Sequence, residues 1–503
     1  MNRTQKFSLN ALSAAIYQIV IMAVGFITPT LMIGTYGSEV NGLISSISQM
    51  IAYLSLVEAG LSGAAVYSLY KPLAEKDTIS INRIVAAAKK YYHKAGYIFS
   101  CAAFILAAVY ALLKGTADIS RGHIFSLAIL LSANGCVDFF ILAKYRAILT
   151  ADQKTYIISF VSILQTIVKT IIIVLSVANN VNIVWLHVAA LLPIIIKGIW
   201  IPMYCKRCYP YLDANVIPNL EALGRRYDVI YQQILGVIQS GAPTMLATVF
   251  LNWSAVSVYS VYNMVLGGVN GVLGIFISGL PAAFGELLAR KEYEKLRSVV
   301  AQFETAYYII LSVVYGLTLV LIMPFIKIYT ATFIDANYYV PSLAVLIVVN
   351  GLFYNIKTPQ SMLIISAGMY KETRWRVTVQ GLIIILGGCA LAVPYGLQGI
   401  IIASIASNLY RTVDLLFFVP KRITDSVVTA SVFRMLKVLL TVCIIYLPSH
   451  FILIEMDRYI EWVIYALCYG IYALISTILI WYLTDKDEFT GLQNRLFSLL
   501  RRR

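Results

Sequence analysis

The chain has 503 residues, 60% of them hydrophobic and 13% charged, with a mean hydropathy of +0.80 and a net charge of +15. Soluble domains carry about 25% charged residues. Half that share, spread over long apolar runs, excludes a soluble globular protein and points to a polytopic membrane protein. The basic surplus needs no nucleic-acid partner, because its distribution has a topological reading.

The first apolar run, at about 9–34, is too long for the h-region of a cleaved signal and lacks a small-residue cleavage site, so it reads as a retained helix. A helical span needs about 20 apolar residues. Thirteen more candidates follow, at about 40–70, 95–114, 122–143, 156–178, 182–202, 229–251, 256–285, 303–326, 339–366, 376–394, 397–419, 433–454 and 459–483. The second, eighth and tenth are overlong and are expected to tilt or to project from the bilayer. The expected fold is all-α, with about fourteen transmembrane helices.

Lysine and arginine gather in alternate loops. Arg3 and Lys6 precede the first helix, six cations from Lys71 to Lys94 follow the second, and clusters continue around Lys144, Lys206, Arg290, Lys371 and Lys421 to Arg501–Arg503. The opposite loops hold only Lys114, Arg121, Lys327 and Arg458. The positive-inside rule therefore places both termini in the cytoplasm. No loop is large enough for a catalytic domain. The six tryptophans lie near span ends, as an interfacial belt requires. Most of the seven cysteines fall in apolar runs and read as small core residues. Cys205 and Cys208 form a lone pair, short of the four ligands of a structural zinc site. With no P-loop, H-E-x-x-H, G-x-S-x-G or acidic metal cluster, the reading is a non-enzyme without metal or cofactor.

The stretch "GLSGAAVYSLYKPLAEKD" closes the second helix and "GLPAAFGELLARKEYEKL" closes the eighth, with Gly60 and Gly279 219 residues apart. "LTADQKTYIIS" follows the fourth helix and "SAGMYKETRWR" the tenth, with Lys154 and Lys371 217 apart. These offsets suggest two parallel six-helix repeats related by an axis along the membrane normal, against the alternative of chance likeness between apolar helices. The expected division is 1–215, 216–425, an added helix pair at 426–485, and an interfacial tail at 486–503 with Phe489, Leu492, Leu496 and Leu500 on one face.

A mid-membrane charge costs about 2.5–3.5 kcal/mol on insertion scales, so intramembrane ions need explaining. Lys169 and Lys357, in the fifth and tenth helices, have no local partner and read as substrate-cavity cations. Arg411 and Asp414, three residues apart, can satisfy one another or serve a site. Asp138 can pair with Lys144 or Arg146, or take part in ion coupling, and Lys197 can snorkel. Glu58, the deepest acid, borders a polar stripe of Asn41, Ser45, Ser48, Ser55 and Ser62. It fits either ion coupling or a structural hydrogen bond. Asn263 and Asn270 lie one heptad apart on the eighth helix, and Gln239 with Thr244 on the seventh; such stripes suit helix packing or a hydrated lumen. Prolines, including Pro359 and Pro394, permit bending. Buried cations on mobile helices describe a transporter of an anionic, phosphate-bearing substrate.

On "GTYGSEVNGLISSISQMIAYLSLVEAGLSGAAVYSLYKPLAEKD", "VSVYSVYNMV", "PFIKIYTATFIDANYYVPSLAVL", "ISAGMYKET" and "SNLYRTVDLLFF", the chain resembles the bacterial polysaccharide-unit (Wzx-type) flippases. Within the multidrug/oligosaccharidyl-lipid/polysaccharide superfamily it is most similar to the Gram-positive capsule and exopolysaccharide branch. The resemblance implies a plasma-membrane flippase moving undecaprenyl-diphosphate-linked oligosaccharide to the outer leaflet by alternating access through a cationic cavity. The polysaccharide polymerase and chain-length machinery are its implied further partners. Lys357 in "NIKTP" fills a position where such sequences often carry arginine; Arg411 in "LYRTVD" and Glu58 fall in matching stretches. Two positions depart from the pattern. "QSGAPTM" stands where a Thr-Asp pair is expected, and "VTVQGL" carries Gln380 near an expected glutamate, so a proton-coupling scheme lacks two of its acids. The alternatives are a multidrug or other lipid-linked precursor exporter of the same fold, whose drug cavity would be acidic, and a polymerase or ligase, which would need a large outer loop.

Overall fold

The computed structural model describes residues 3–58, 61–113, 119–223, 227–277, 280–425, 427–451 and 456–484, and among them there is no strand. The interfacial helix expected at 486–503, and Gly60 and Gly279 of the repeat, lie outside the described residues. The chain divides into two compact units: residues 1–248 with 252–257, and residues 249–251 with 258–503.

The first unit contains α1 (Arg3–Leu54), α2 (Leu61–Glu75), α3 (Thr78–Leu113), α4 (Arg121–Val137), α5 (Ala143–Ala151), α6 (Thr155–Ala178), α7 (Ile183–Ala189), α8 (Leu192–Cys208) and most of α9 (Tyr227–Phe250). The second contains most of α10 (Trp253–Ile277), then α11 (Leu280–Ala289), α12 (Tyr293–Tyr329), α13 (Pro341–Ile356), α14 (Thr358–Ala367), α15 (Tyr370–Val419), α16 (Val428–Tyr446) and α17 (Tyr459–Thr484).

Among the described residues, twelve segments are long and apolar enough to cross a membrane, making this a multi-pass membrane protein. Two of them are double. The 52 residues of α1 would run about 78 Å at 1.5 Å per residue, more than twice the ~30 Å hydrocarbon core. Gly37 interrupts α1 at φ 85°, ψ 166°, and Gly396 interrupts α15 at φ 59°, ψ −138°. An L-residue's Cβ disfavours positive φ, whereas glycine enters it freely. Each arm is long enough to cross alone, so twelve apolar segments make fourteen passes.

Two of the three overlong spans are interrupted within the described residues. A 3₁₀ turn, Ser55–Glu58, follows α1 in the first of them, and α13 gives way to α14 at Lys357 in the last. At both interruptions a neighbouring side chain holds a polar group: Arg146 meets Glu58 at 3.0 Å, and Tyr308 donates to the Ile356 carbonyl at 3.0 Å.

In the first unit, Leu69, Ile81, Tyr92 and Phe99 form one buried cluster, and Leu43, Ile47, Leu127 and Leu186 another. Asn41 Nδ2 donates to Ser257 Oγ at 2.8 Å, and Ser46 meets Tyr110 and Thr248 at 2.6 Å each, so part of the polar stripe acts as packing glue. Lys6 and Lys154 reach Asp152 at 2.9 and 2.8 Å, tying the start of α1 to the α5–α6 turn. Burial pushes the Asp152 carboxyl up, but hydrogen bonds from Lys154, Tyr209 and Lys6 outweigh it and hold the group below its usual range. In the second unit α12 is the central helix, burying Tyr307, Tyr308, Leu311, Tyr315 and Ile326.

Outward helix faces expose Ile19, Phe104, Leu175, Leu386 and Leu467, which lipid would cover. Two sequence expectations need correction here. Trp185, Trp200 and Trp375 are exposed as a belt requires, but Trp253 and Trp481 are buried, the first stacked on Tyr110 and the second beneath the Lys437 amine. Of the cysteines only Cys205 is buried; Cys101, Cys443 and Cys468 sit on exposed faces, where apolar sequence reflects lipid and not core.

Candidate functional site

Pro359 explains why α13 cannot continue into α14. It has no N–H, and its ring clashes with the carbonyl four residues back, on Asn355. Lys357 is the junction residue, capping both helices. Tyr308 Oη donates to the Ile356 carbonyl at 3.0 Å, satisfying a group freed beside the break. Asn355 is fixed by donating to Asn270 Oδ1 at 2.8 Å, Tyr315 Oη at 2.7 Å and the Gly351 carbonyl at 3.0 Å.

The Lys357 side chain is 7% exposed. Its amine donates to Asn408 Oδ1 and lies 4.9 Å from the centre of the Tyr354 ring. Asn408 in turn donates to Asn350 Oδ1 at 3.0 Å. Among the described residues no carboxylate pairs with Lys357. One turn along α15 from Asn408, Arg411 donates to Asp414 Oδ2 at 2.6 Å, and Arg376 holds the other oxygen of the same carboxylate. Asp414 is thus taken by Arg411 and by Arg376, whose side chain is 42% exposed, and Lys357 is left, among the described residues, as a buried cation without a carboxylate. Such a cation needs an anion or deprotonation to be stable in a low-dielectric setting. Of the two readings open for Arg411 and Asp414, the geometry realises the ion pair, extended by Arg376.

Glu304 on α12 was not legible as a site residue. It is 3% exposed, accepts from Gln360 Nε2 at 2.8 Å and Arg434 Nη1 at 2.9 Å, and lies 3.2 Å from Ser431 Oγ. Gln360 is one turn past Lys357, so this network joins α12, α14 and α16 beside the break. A cavity of about 370 Å³ opens there, lined by Glu304, Gln360, Ser431, Arg434 and Arg297. The sequence placed Glu304 at the very edge of a span and Arg434 in a loop; α12 and α16 begin earlier and carry both inside.

The first unit holds a second ion cluster. Arg146 donates to Asp138 Oδ2 at 2.6 Å and to Glu58 Oε1 at 3.0 Å. Asp138 opens a π-helical turn, Asp138–Leu142, between α4 and α5. It lies 219 residues before Lys357, the same offset as Gly60 to Gly279, and the fourth and tenth spans each lose regular helical geometry at these residues. Of the two readings for Asp138 and Glu58, both are found in an ion pair, and the partner is Arg146, not Lys144. Lys197 is within electrostatic reach of Asp138.

Of the remaining expected residues, Lys169 and Gln239 belong to the first unit and Asn263 and Asn270 to the second. Lys169 on α6 is half-buried, with His187 as an electrostatic neighbour and no ion pair among the described residues. Gln239 is half-buried and engaged, and Asn263 is exposed. Asn270 alone joins the Lys357 neighbourhood, through Asn355. Gln380, near the expected glutamate, is 3% exposed, and among the described residues its amide nitrogen has no hydrogen-bond partner.

No protein-family profile and no curated protein sequence matches the chain. Solved structures do. The lipid II flippase MurJ in an inward closed conformation superposes with a TM-score of 0.62 at 14% identity, covering 93% of this chain and 98% of that one. An inward-facing multidrug resistance MATE family transporter of the MOP superfamily gives 0.60 at 13% identity, over 86% and 98%. A MOP superfamily transporter from Pyrococcus furiosus, described as having a binding pocket of reverse polarity, gives 0.52 at 13%, over 86% and 95%. At these identities the likeness establishes the fold: the chain is built like MurJ and the MATE transporters.

Proposed function

We propose that the chain is a flippase for a lipid-linked anionic precursor, translocating undecaprenyl-diphosphate-linked oligosaccharide repeat units from the inner to the outer leaflet of a bacterial plasma membrane. The observation that carries this reading is Lys357: a buried cation at a helix break, beside Arg411, with no carboxylate of its own among the described residues. A diphosphate supplies the missing negative charge, and charge-assisted hydrogen bonds to it are strong enough to select it. The broken tenth helix gives the motion that alternating access needs, since a break concentrates bending in a few dihedrals. On this reading the two six-helix repeats span 1–215 and 216–425, residues 426–485 are an added pair, and both termini face the cytoplasm.

The MATE likeness favours a second reading, export of a drug. A cationic drug would need unpaired acids, whereas Glu58, Asp138, Glu304 and Asp414 are each held by arginine. The experiment that separates the two is reconstitution of the purified chain with a fluorescent polyprenyl-diphosphate sugar or a cationic dye. The flippase reading predicts movement of the first and not the second; movement of the dye alone would replace it.

A further inference from the structure

Away from the ion clusters, α3 and the chain after α8 line an open cavity of about 450 Å³, within the range of small-ligand pockets. Its polar lining is Lys89, Lys90, His93, Lys94 and Asn215. The cavity is built, not incidental. Lys89 Nζ donates to Asn215 Oδ1 at 2.8 Å, Asn82 Nδ2 to the Tyr211 carbonyl at 2.8 Å, and Asn219 N to the Arg83 carbonyl at 3.1 Å, pinning the wall to α3. Lys144 stands within electrostatic reach of Lys89 and of Lys206. The nearby acid, Asp213, accepts from the Asn215 backbone N–H at 2.8 Å and does not pair with these lysines.

The same face of α3 changes character along its length. Lys90 and Lys94 are exposed, and the positions that follow at helical spacing are Tyr97, Cys101, Phe104, Ile105 and Leu112, all exposed. From Tyr97 to Leu112 the helix rises about 22 Å, enough to cover one leaflet of the ~30 Å core. A tyrosine between the cations and the aliphatic stretch matches the chemistry of the membrane interface.

We propose that this cavity binds the headgroup of an anionic phospholipid, with the phosphate held by Lys90 and Lys94 and the acyl chains lying along Tyr97, Phe104 and Ile105. The positive-inside bias accounts for lysines on this side of the membrane; it does not gather them in a pocket directly below an exposed apolar helix face. Charge complementarity identifies the lipid class: a zwitterionic headgroup brings its own cation into the lysine cluster, and an anionic one does not. The site is separate from the proposed transport machinery, so its test is independent of flipping.

The test is native mass spectrometry of the full chain in detergent, titrated with phosphatidylglycerol or phosphatidylcholine. The wild type should retain phosphatidylglycerol in preference. Lys90→Gln combined with Lys94→Gln should weaken that binding about thirtyfold, the combined contribution of two lysines near an anionic surface. A control pair of exposed cations elsewhere, Lys291→Gln with Lys371→Gln, should leave it unchanged. Retention of the lipid by the pocket variant would overturn the proposal. Equal loss in the control would do so too, reducing the effect to general surface charge. Displacement by inorganic phosphate as readily as by lipid would assign the pocket to free anions.

Discussion

Arg146 and Asp138 meet at 2.6 Å through Nη1 and Oδ2, while the other end of the same guanidinium holds Glu58 at 3.0 Å. One cation is therefore shared by two acids that come from segments 80 residues apart in the chain. Removing it leaves two carboxylates facing one another in a poorly hydrated place. Arg146→Gln should destabilise the protein by about 2 kcal/mol, less than a fully buried pair would lose because the group is partly exposed. Thermal unfolding in detergent measures this, and adding Glu58→Gln and Asp138→Asn should recover most of the loss.

Glu304 and Arg434 differ in being sealed. Glu304→Ala strands a buried guanidinium, and a cost of about 3–5 kcal/mol is expected. Replacing both partners with apolar residues of similar size, Glu304→Leu with Arg434→Met, should cost less than either single change. An additive double mutant, measured in the same unfolding assay, would contradict the coupling.

Gly396→Ala forces a Cβ into a positive-φ conformation at the turn inside α15. A loss of about 1–2 kcal/mol is expected, whereas Gly34→Ala, in regular helix with open space where its Cβ would stand, should lose nothing. The melting temperature of the two variants compares them directly.

The orientation predicts that Lys371 and Asp335, both exposed, lie on opposite faces of the membrane. Single cysteines at 371 and 335, in a background freed of the exposed Cys101, Cys208, Cys443 and Cys468, should react with an impermeant maleimide from opposite sides. In intact cells residue 335 should label and residue 371 should not.

Much of the fold was legible because membrane insertion depends on hydropathy, which is additive along the chain. All fourteen passes were visible, even where Gly37 and Gly396 merge neighbours into one long helical run. The breaks at Glu58 and Lys357 were hidden inside overlong apolar stretches, because a run of apolar residues does not say whether its backbone stays helical; Pro359 was the one local signal. Pairing was the least legible property. Arg146, Arg376 and Arg434 read as loop cations by their distance from span centres, yet each meets an acid far away in the sequence, Glu58, Asp414 and Glu304 in turn. Such partners depend on tertiary packing, and nothing local in the sequence encodes them. Buried Trp253 and Trp481 were misplaced for the same reason.

The central claim is that Lys357 is a cation for the substrate's diphosphate. Its direct test is the initial rate of polyprenyl-diphosphate sugar flipping in proteoliposomes for the wild type, Lys357→Arg, Lys357→Ala and Lys357→Met, with folding checked by thermal melting. Loss of a charge-assisted hydrogen bond should slow the alanine and methionine variants about tenfold or more, while arginine retains most of the rate and all four melt alike. Wild-type flipping by a well-folded alanine or methionine variant would contradict the assignment.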